Sequence, residues 1–333
     1  MTSKLWFFLM LPLVCLSQTL TGTIVDATTN EPLETVAVYF DNTTIGTTTD
    51  HEGKFSISYS DAIQSTLVIS YLGFEKVLIK DYRTKKNITI KLKPSDVSLD
   101  EVFIDFDDGL TRKQKLRLFR KEFLGTSKYG KSCKILNEDD LVLRYDKERK
   151  TLYASADVSI IITNKALKYE ISYDIIDFEV NYRYANIDAQ DFVLNKVAYA
   201  GTSYYKDLEK ADKKSILCKR EKVYKGSVQH FMRALYNKNL KAEGYEIFYK
   251  SFKVNEYAYF KIRDKEDTSF KEVSLKHKVS ILYDEKYQSD IDVYVDSFLV
   301  DAYGNYSTIK GVYFNGAMGN QRVGDMLPLD YGL

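Results

Sequence analysis

Asp50-His51-Glu52-Gly53-Lys54-Phe55-Ser56-Ile57-Ser58-Tyr59 decides the fold, because it reads as a tight turn running straight into a strand. Gly53 supplies the left-handed backbone that a short hairpin needs, Asp50 is placed to cap the turn, and Phe55 enters a core. Working outward, the same pattern repeats. Leu20–Val25, Thr35–Phe40, Leu67–Tyr71, Lys76–Ile79 and Ile88–Leu92 are short runs rich in β-branched and aromatic residues. Asp26 to Pro32, Asp41-Asn42 and Leu72-Gly73 supply the reversals between them. Roughly seven strands in under eighty residues leave no room for crossover helices. An antiparallel sandwich is therefore expected, and a parallel sheet is not.

These residues also carry a family likeness. Thr21-Gly-Thr-Ile-Val-Asp26, Glu31-Pro-Leu-Glu-Thr-Val-Ala-Val38, Gly46-Thr-Thr-Thr-Asp50-His-Glu-Gly53-Lys-Phe55 and Ile69-Ser-Tyr-Leu-Gly73-Phe resemble the carboxypeptidase regulatory-like domain. The resemblance covers about residues 19 to 93 and implies a transthyretin-like β-sandwich. Ser98-Leu-Asp-Glu-Val-Phe-Ile104 is similar to the segment that joins this module to the plug of TonB-dependent outer-membrane receptors. Such a receptor needs several hundred further residues for its barrel, and about 230 remain, so no transport role is carried over.

Lys4 followed by the apolar run Leu5 to Leu16 is too short to span a bilayer and reads as a secretory signal cleaved near Ser17 and Gln18. A buried core strand and a lipid anchor on Cys15 are the alternatives, the second opposed by the bulky Val14. Export leaves Cys133 and Cys218 in an oxidising compartment, where they either pair or serve as small hydrophobes. With 48 Lys+Arg against 47 Asp+Glu the net charge is +1, so no global field draws the chain to nucleic acid or anionic lipid. The 27 Tyr, 18 Phe and only 4 Pro favour ordered β-structure.

Beyond residue 104 the composition shifts. Asp105, Asp107 and Asp108 precede the capping-box pattern Thr111-Arg-Lys-Gln114, which predicts a helix to about Leu124. Leu116, Phe119 and Phe123 would face inward, leaving Arg112, Lys113, Lys115, Arg117, Arg120 and Lys121 on a solvated face. Strands follow at 141–145, 152–156, 159–163, 167–184 and 192–199, and a phase slip near Ile175/Ile176 predicts a β-bulge. A second helix is expected from Ser227, using Val228, Phe231, Met232 and Leu235. Strands resume at 245–252, 257–262, 279–283, 291–300 and 309–314. The expected whole is a signal peptide at 1–17, a sandwich at 18–104 and a larger antiparallel α+β domain with two helices at 105–333.

Chemistry is sparse. Gly125-Thr-Ser-Lys-Tyr-Gly130-Lys131-Ser132 satisfies the spelling of a phosphate-binding loop, but a helix precedes it where the chemistry needs a strand. His51, His230 and His277 are the only histidines and none has metal-ligand spacing: a turn, a helix face and a strand end are expected. No nucleophile elbow is present, and neither cysteine has a histidine nearby. Glu138-Asp139-Asp140 and the pair Asp290/Asp292 suit turns and strand edges better than a glycosidase or calcium site. The sequons at Asn42, Asn87 and Asn305 read as turns and strand ends. No catalytic, cofactor-binding or metal-ligating residue is assigned, and no cofactor. The sequence thus points to an exported, non-enzymatic binding or scaffold protein, periplasmic or outer-membrane-associated, whose partner is an envelope protein or glycan and not nucleic acid. A small outer-membrane β-barrel built from residues 140–333 and an envelope hydrolase with an unrecognised site are the competing readings.

Overall fold

The computed structural model describes residues 17–60, 64–95, 108–266, 268–307 and 311–333. The signal-like run, the receptor-like segment at Ser98–Ile104, and Asp105 and Asp107 lie outside the described residues.

The deciding hairpin is as read. Asp50 accepts the backbone N–H groups of Glu52 and Lys54, both at 2.9 Å, while Gly53 sits at φ +70 and Phe55 is buried. In the first sandwich sheet β1 (Ser17–Asp26) is flanked by β4 (Lys54–Ser60), antiparallel, and by β7 (Asn87–Leu92). The second sheet runs β3 (Gly46–Thr48), β2 (Ala37–Phe40), β5 (Leu67–Ser70), β6 (Val77–Ile79), all antiparallel. One expectation fails here: β1 and β7 are parallel. Parallel neighbours need a long crossover, not necessarily a helical one, and β2 to β6 in the opposite sheet supply it. Phe55, Ile57 and Tyr59 meet Phe40, Ile69, Ile88 and Ile90 between the layers.

The capping box forms at Thr111 and Gln114 and starts α1 (Arg112–Phe123). That helix covers a six-stranded sheet of β8 (Cys133–Ile135), β9 (Val142–Asp146), β10 (Thr151–Ser155), β11 (Ile160–Asn164), β12 (Tyr169–Asn186) and β13 (Asp191–Asp207). β12 is long enough to pair β11 with its first half and β10 with its second along one edge, while β13 runs the length of the other. The predicted bulge is present between Ile175 and Asp177, and it turns Ile176 out to solvent. Phe119 and Phe123 stack on each other and meet Phe178 at tilted and edge-on angles in the core. Lys115 departs from the solvated face expected of it: it is buried in an ion pair with buried Asp108 at 2.7 Å, and Asp108 also accepts the Tyr145 N–H. The pair ties the helix to β9, because a buried charge needs a partner.

A third core forms under α3 (Val228–Tyr236), which Ser227 caps as expected, and α2 (Lys214–Tyr224) precedes it unannounced by the pattern. Around α3 lie two further sheets. One runs β15 (Phe252–Val254), β14 (Tyr245–Tyr249), β18 (Val279–Tyr283), β19 (Tyr287–Val293), β21 (Val312–Asn315); the other runs β16 (Phe260–Asp264), β17 (Lys271–Leu275), β20 (Phe298–Val300). The strand expected from Tyr257 begins instead as a single helical turn, α4 (Glu256–Tyr259), capped by Asn255. A second such turn, α5 (Gly316–Gly319), follows β21. The chain is thus an N-terminal β domain followed by a larger α+β region. Among the described residues no sheet closes on itself, which removes the small-barrel reading, and no helix is long and apolar enough to cross a membrane.

Candidate functional site

The polar groups that converge in this protein do so where its parts meet. Asp174, buried on β12, accepts the Ser159 hydroxyl at 2.5 Å, the Thr202 hydroxyl at 3.1 Å and the Tyr39 hydroxyl at 3.1 Å, and pairs with the Lys76 ammonium at 2.5 Å. Tyr39 and Lys76 come from the sandwich, so a single carboxylate fastens it to the long β12/β13 hairpin. Burial, then the Asp174 charge, push the Tyr39 hydroxyl far above its ordinary range, which keeps it a donor. Next to it, the Asn42 N–H donates to Ser203 O and the Tyr205 N–H to Thr43 O, so the sandwich loop extends the sheet at the β13 edge. Asp41 accepts the Ser203 N–H there, and burial raises its carboxyl to about 6 against that hydrogen bond.

The C-terminal tail forms a second convergence. Arg233 donates to the carbonyls of Tyr303 (3.0 Å), Leu329 (2.6 Å) and Tyr331 (2.8 Å) and to the Tyr224 hydroxyl. Asp330 accepts both the N–H and the hydroxyl of Thr44, and Asp325 accepts the Ser127 hydroxyl. Close by, Asp301 is fully buried and accepts the Tyr303 and Asn305 N–H groups through one oxygen, while its other oxygen has no hydrogen-bond partner among the described residues. Burial outweighs these bonds and the Arg233 and Arg83 charges, lifting its carboxyl to about 7.

His230 has the outline of a catalytic base without its access. Its Nε2 lies 3.1 Å from Glu243, and its Nδ1 2.9 Å from the Tyr245 hydroxyl, a carboxylate–imidazole–hydroxyl chain. Nδ1 also accepts the Gly226 N–H at 3.1 Å, and Tyr245 is fully buried. The ring nitrogen that would take a substrate proton is therefore already occupied. Burial lowers the His230 pKa despite Glu243, so the ring is a neutral structural link. His51 is an exposed turn residue beside Glu52, and His277, between β17 and β18, lies against Tyr249 with the rings tilted.

The phosphate-loop spelling is equally committed. Ser127 accepts the N–H groups of Tyr129 and Gly130, Lys131 N–H goes to Ser127 O, and Ser132 N–H to Tyr129 O. A helix precedes the loop, the short β8 follows it, and the backbone of Gly324 in the tail packs on Gly130. The four amides from Tyr129 to Ser132, which a phosphate would need, are thus already bonded within the loop. Of the basic residues on α1, Arg112 donates to the carbonyls of Leu141, Glu138 and Asp139, and Arg120 pairs with Glu138.

Cys133 and Cys218 are both free, on β8 and α2 respectively, and burial raises the Cys133 thiol to about 12. Asp290 accepts from Ser280, and Asp292 from Tyr294. Among the described residues no three His, Cys, Asp or Glu side chains gather as a metal site. Asn42 lies in the sandwich junction, accepting the Ser203 hydroxyl. Asp174 and Arg233 escaped the reading of the sequence because their partners lie up to 135 residues away, and Asp301 because its short-range bonds to Tyr303 and Asn305 give no sign of its burial.

Against known proteins, no curated protein matches the chain. Among solved structures, a 9R-lipoxygenase from Cyanothece is 13% identical over 70% of this chain and 50% of its own, with a TM-score of 0.19. The chain thus spans half the length of that enzyme. A protein of unknown function from Bacteroides fragilis is 11% identical over 90% of this chain and 93% of its own, again with a TM-score of 0.19. Neither likeness carries an argument about fold or activity. Residues 20–104, which include the N-terminal sandwich, match the family model of the CarboxypepD_reg-like domain.

Proposed function

We propose that the protein is an exported, non-enzymatic cell-envelope binding or scaffold protein, periplasmic or outer-membrane-associated, in which the region after residue 104 carries the specific interaction. One observation supports this most. The side chains with the makings of chemistry, Asp174, Arg233 and the Glu243–His230–Tyr245 chain, are spent on internal links, and the one imidazole in such a chain has no open nitrogen. An enzyme keeps such groups beside a cleft. A scaffold instead needs rigid placement of its parts and free strand edges for a partner's main chain. The match to a regulatory-like module and the signal-like N-terminus agree with that reading.

The test is capture from native envelopes after mild crosslinking, with N-terminal sequencing of the recovered chain. A chain starting near Gln18, bringing a reproducible envelope protein or glycan with it, is the expected result. An unprocessed chain in the cytosolic fraction, or an empty capture, overturns the proposal.

A further inference from the structure

The outer face of the β16–β17–β20 sheet carries a shallow polar hollow that none of the internal links fills. β16 sends Phe260 into the core and leaves Lys261 and Arg263 exposed. Cross-strand register sets Ser274 opposite Lys261 and Glu272 opposite Arg263, so all four share one face. Asp296 and Ser297, just before β20, close the rim, and the six residues line a cavity of about 230 Å³. Ser297 donates to Glu272 at 2.7 Å. Among the described residues neither Lys261 nor Arg263 is in an ion pair, which sets them apart from the committed cations of α1.

We propose that this hollow is a subsite for a carboxylated sugar, one hexuronate residue of an acidic glycan. It rests on the binding role proposed above and names a ligand class for it. Arg263 offers the planar fork that fits a carboxylate, and Lys261, two residues along the strand with its Cα about 7 Å away, adds a second positive charge on the same face. Two carboxylates and two serine hydroxyls share the same hollow, and these are the partners that ring hydroxyls need. That balance discriminates. A sulfate has only acceptor oxygens to turn toward Glu272 and Asp296, and a phosphate at neutral pH at most two hydroxyls, whereas a uronate presents its single charge to the cations and several ring hydroxyls to the acids. Size agrees: the hollow falls below the roughly 300–1,000 Å³ of sites that enclose drug-sized ligands. It suits one ring of a chain that continues past the open edge of β16.

The signal-free chain is titrated with hexagalacturonate, and in parallel with cellohexaose, inorganic phosphate and dextran sulfate, by calorimetry or ligand-observed magnetic resonance. Saturable binding of hexagalacturonate alone is expected, weakened about tenfold by Arg263→Gln and by Lys261→Ala. Both side chains are exposed, so both variants fold. Asp296→Asn is expected to weaken hexagalacturonate and to improve phosphate. No hexagalacturonate binding, binding that Arg263→Gln leaves unchanged, or dextran sulfate binding as well as the uronate overturns the subsite. A chain that captures its envelope partner but ignores hexagalacturonate overturns the subsite alone. One that binds hexagalacturonate through Arg263 but captures nothing overturns the scaffold reading alone.

Discussion

Two buried aspartates stand where the sandwich meets the rest of the chain, Asp174 on the hairpin and Asp301 beside the tail, and their surroundings differ in kind. Asp174 has three hydroxyl donors and an ammonium. Asp301 has two backbone N–H groups on one oxygen and no hydrogen-bond partner among the described residues on the other, with only the charges of Arg233 and Arg83 to offset its burial. A buried carboxylate with its lone pairs filled fixes the geometry of its partners, whereas one half filled stores a cost that varies with pH. The first junction is thus a lock and the second a tolerated strain. The second holds because Arg233 grips the carbonyls of Tyr303, Leu329 and Tyr331 beside it, and because Tyr303 itself lies in the sandwich core.

Removing the grip should have the largest effect. Arg233→Ala strips three carbonyls of their donor and leaves a void behind a side chain that is 7% exposed. A loss of about 3–5 kcal/mol is expected, read as a fall in urea midpoint, with early proteolysis in residues 322–333. Arg233→Lys should recover only a fraction, since an ammonium cannot serve three carbonyls in one plane. Equal stability of the two variants would show that the fork does not matter.

Next in size is the lock. Asp174→Ala should cost about 2–4 kcal/mol, because it leaves three hydroxyls and the Lys76 ammonium without their acceptor. Asp174→Asn, which keeps two acceptor sites but not the charge, should cost less. The sandwich ought to become protease-sensitive before the six-stranded core does. Simultaneous loss of both would mean that the junction is not the weakest boundary.

How much of this was legible in the sequence follows from the range of the interaction. Strand alternation and turn chemistry are local, and Asp50, Gly53, Phe55, the Thr111 capping box and the Ser227 cap all stood out in the chain. So did the bulge at Ile175/Asp177, because the apolar phase changes there. The two later register shifts, at Asn181/Tyr182 and Tyr182/Tyr184, were silent: Tyr182 is buried and Tyr184 about half exposed although they share a sequence phase, and tyrosine suits either environment. Helix α2 was hidden because its buried stripe is Ile216, Arg220 and Val223, with a cation in the middle. Arg220 earns that position through the carbonyls of Leu167 and Lys168, Asp207, and the face of Tyr169, none of which is near it in sequence. The same distance hid Asp174, whereas Asp301 was hidden by its burial, which its short-range bonds to Tyr303 and Asn305 do not announce.

The pH dependence sharpens the contrast at a smaller scale. With its folded pKa raised to about 7, Asp301 binds its proton more tightly in the native chain than in the unfolded one. Below about pH 4 both states are protonated and the group adds no cost. Between about 4 and 7 the unfolded chain ionises first, so stability falls as pH rises, and above 7 the whole cost stands. Asp301→Asn retains an acceptor for the Tyr303 and Asn305 N–H groups. It should stabilise the protein by about 1–2 kcal/mol at pH 8, change little at pH 4, and flatten the slope between them. Asp41, raised to about 6, will leave a residual slope of the same sign in the variant. A slope unaltered by Asp301→Asn would place the titration elsewhere.

Tyr303 gives the smallest effect and the finest discrimination. Its ring is buried among sandwich residues, and its hydroxyl lies 2.7 Å from that of Ser60. If the tail junction is held by backbone grip and ring burial, as the half-empty Asp301 implies, the hydroxyl contributes little. Tyr303→Phe should then cost about 1 kcal/mol or less, because Ser60 is part-buried and can turn to water. The matching change at the lock, Tyr39→Phe, deprives buried Asp174 of a donor and should cost about 1–3 kcal/mol. Measuring both variants by urea unfolding at one pH compares the junctions through the same chemical deletion. A Tyr303→Phe loss equal to or greater than the Tyr39→Phe loss would reverse the ranking and make the tail junction the lock.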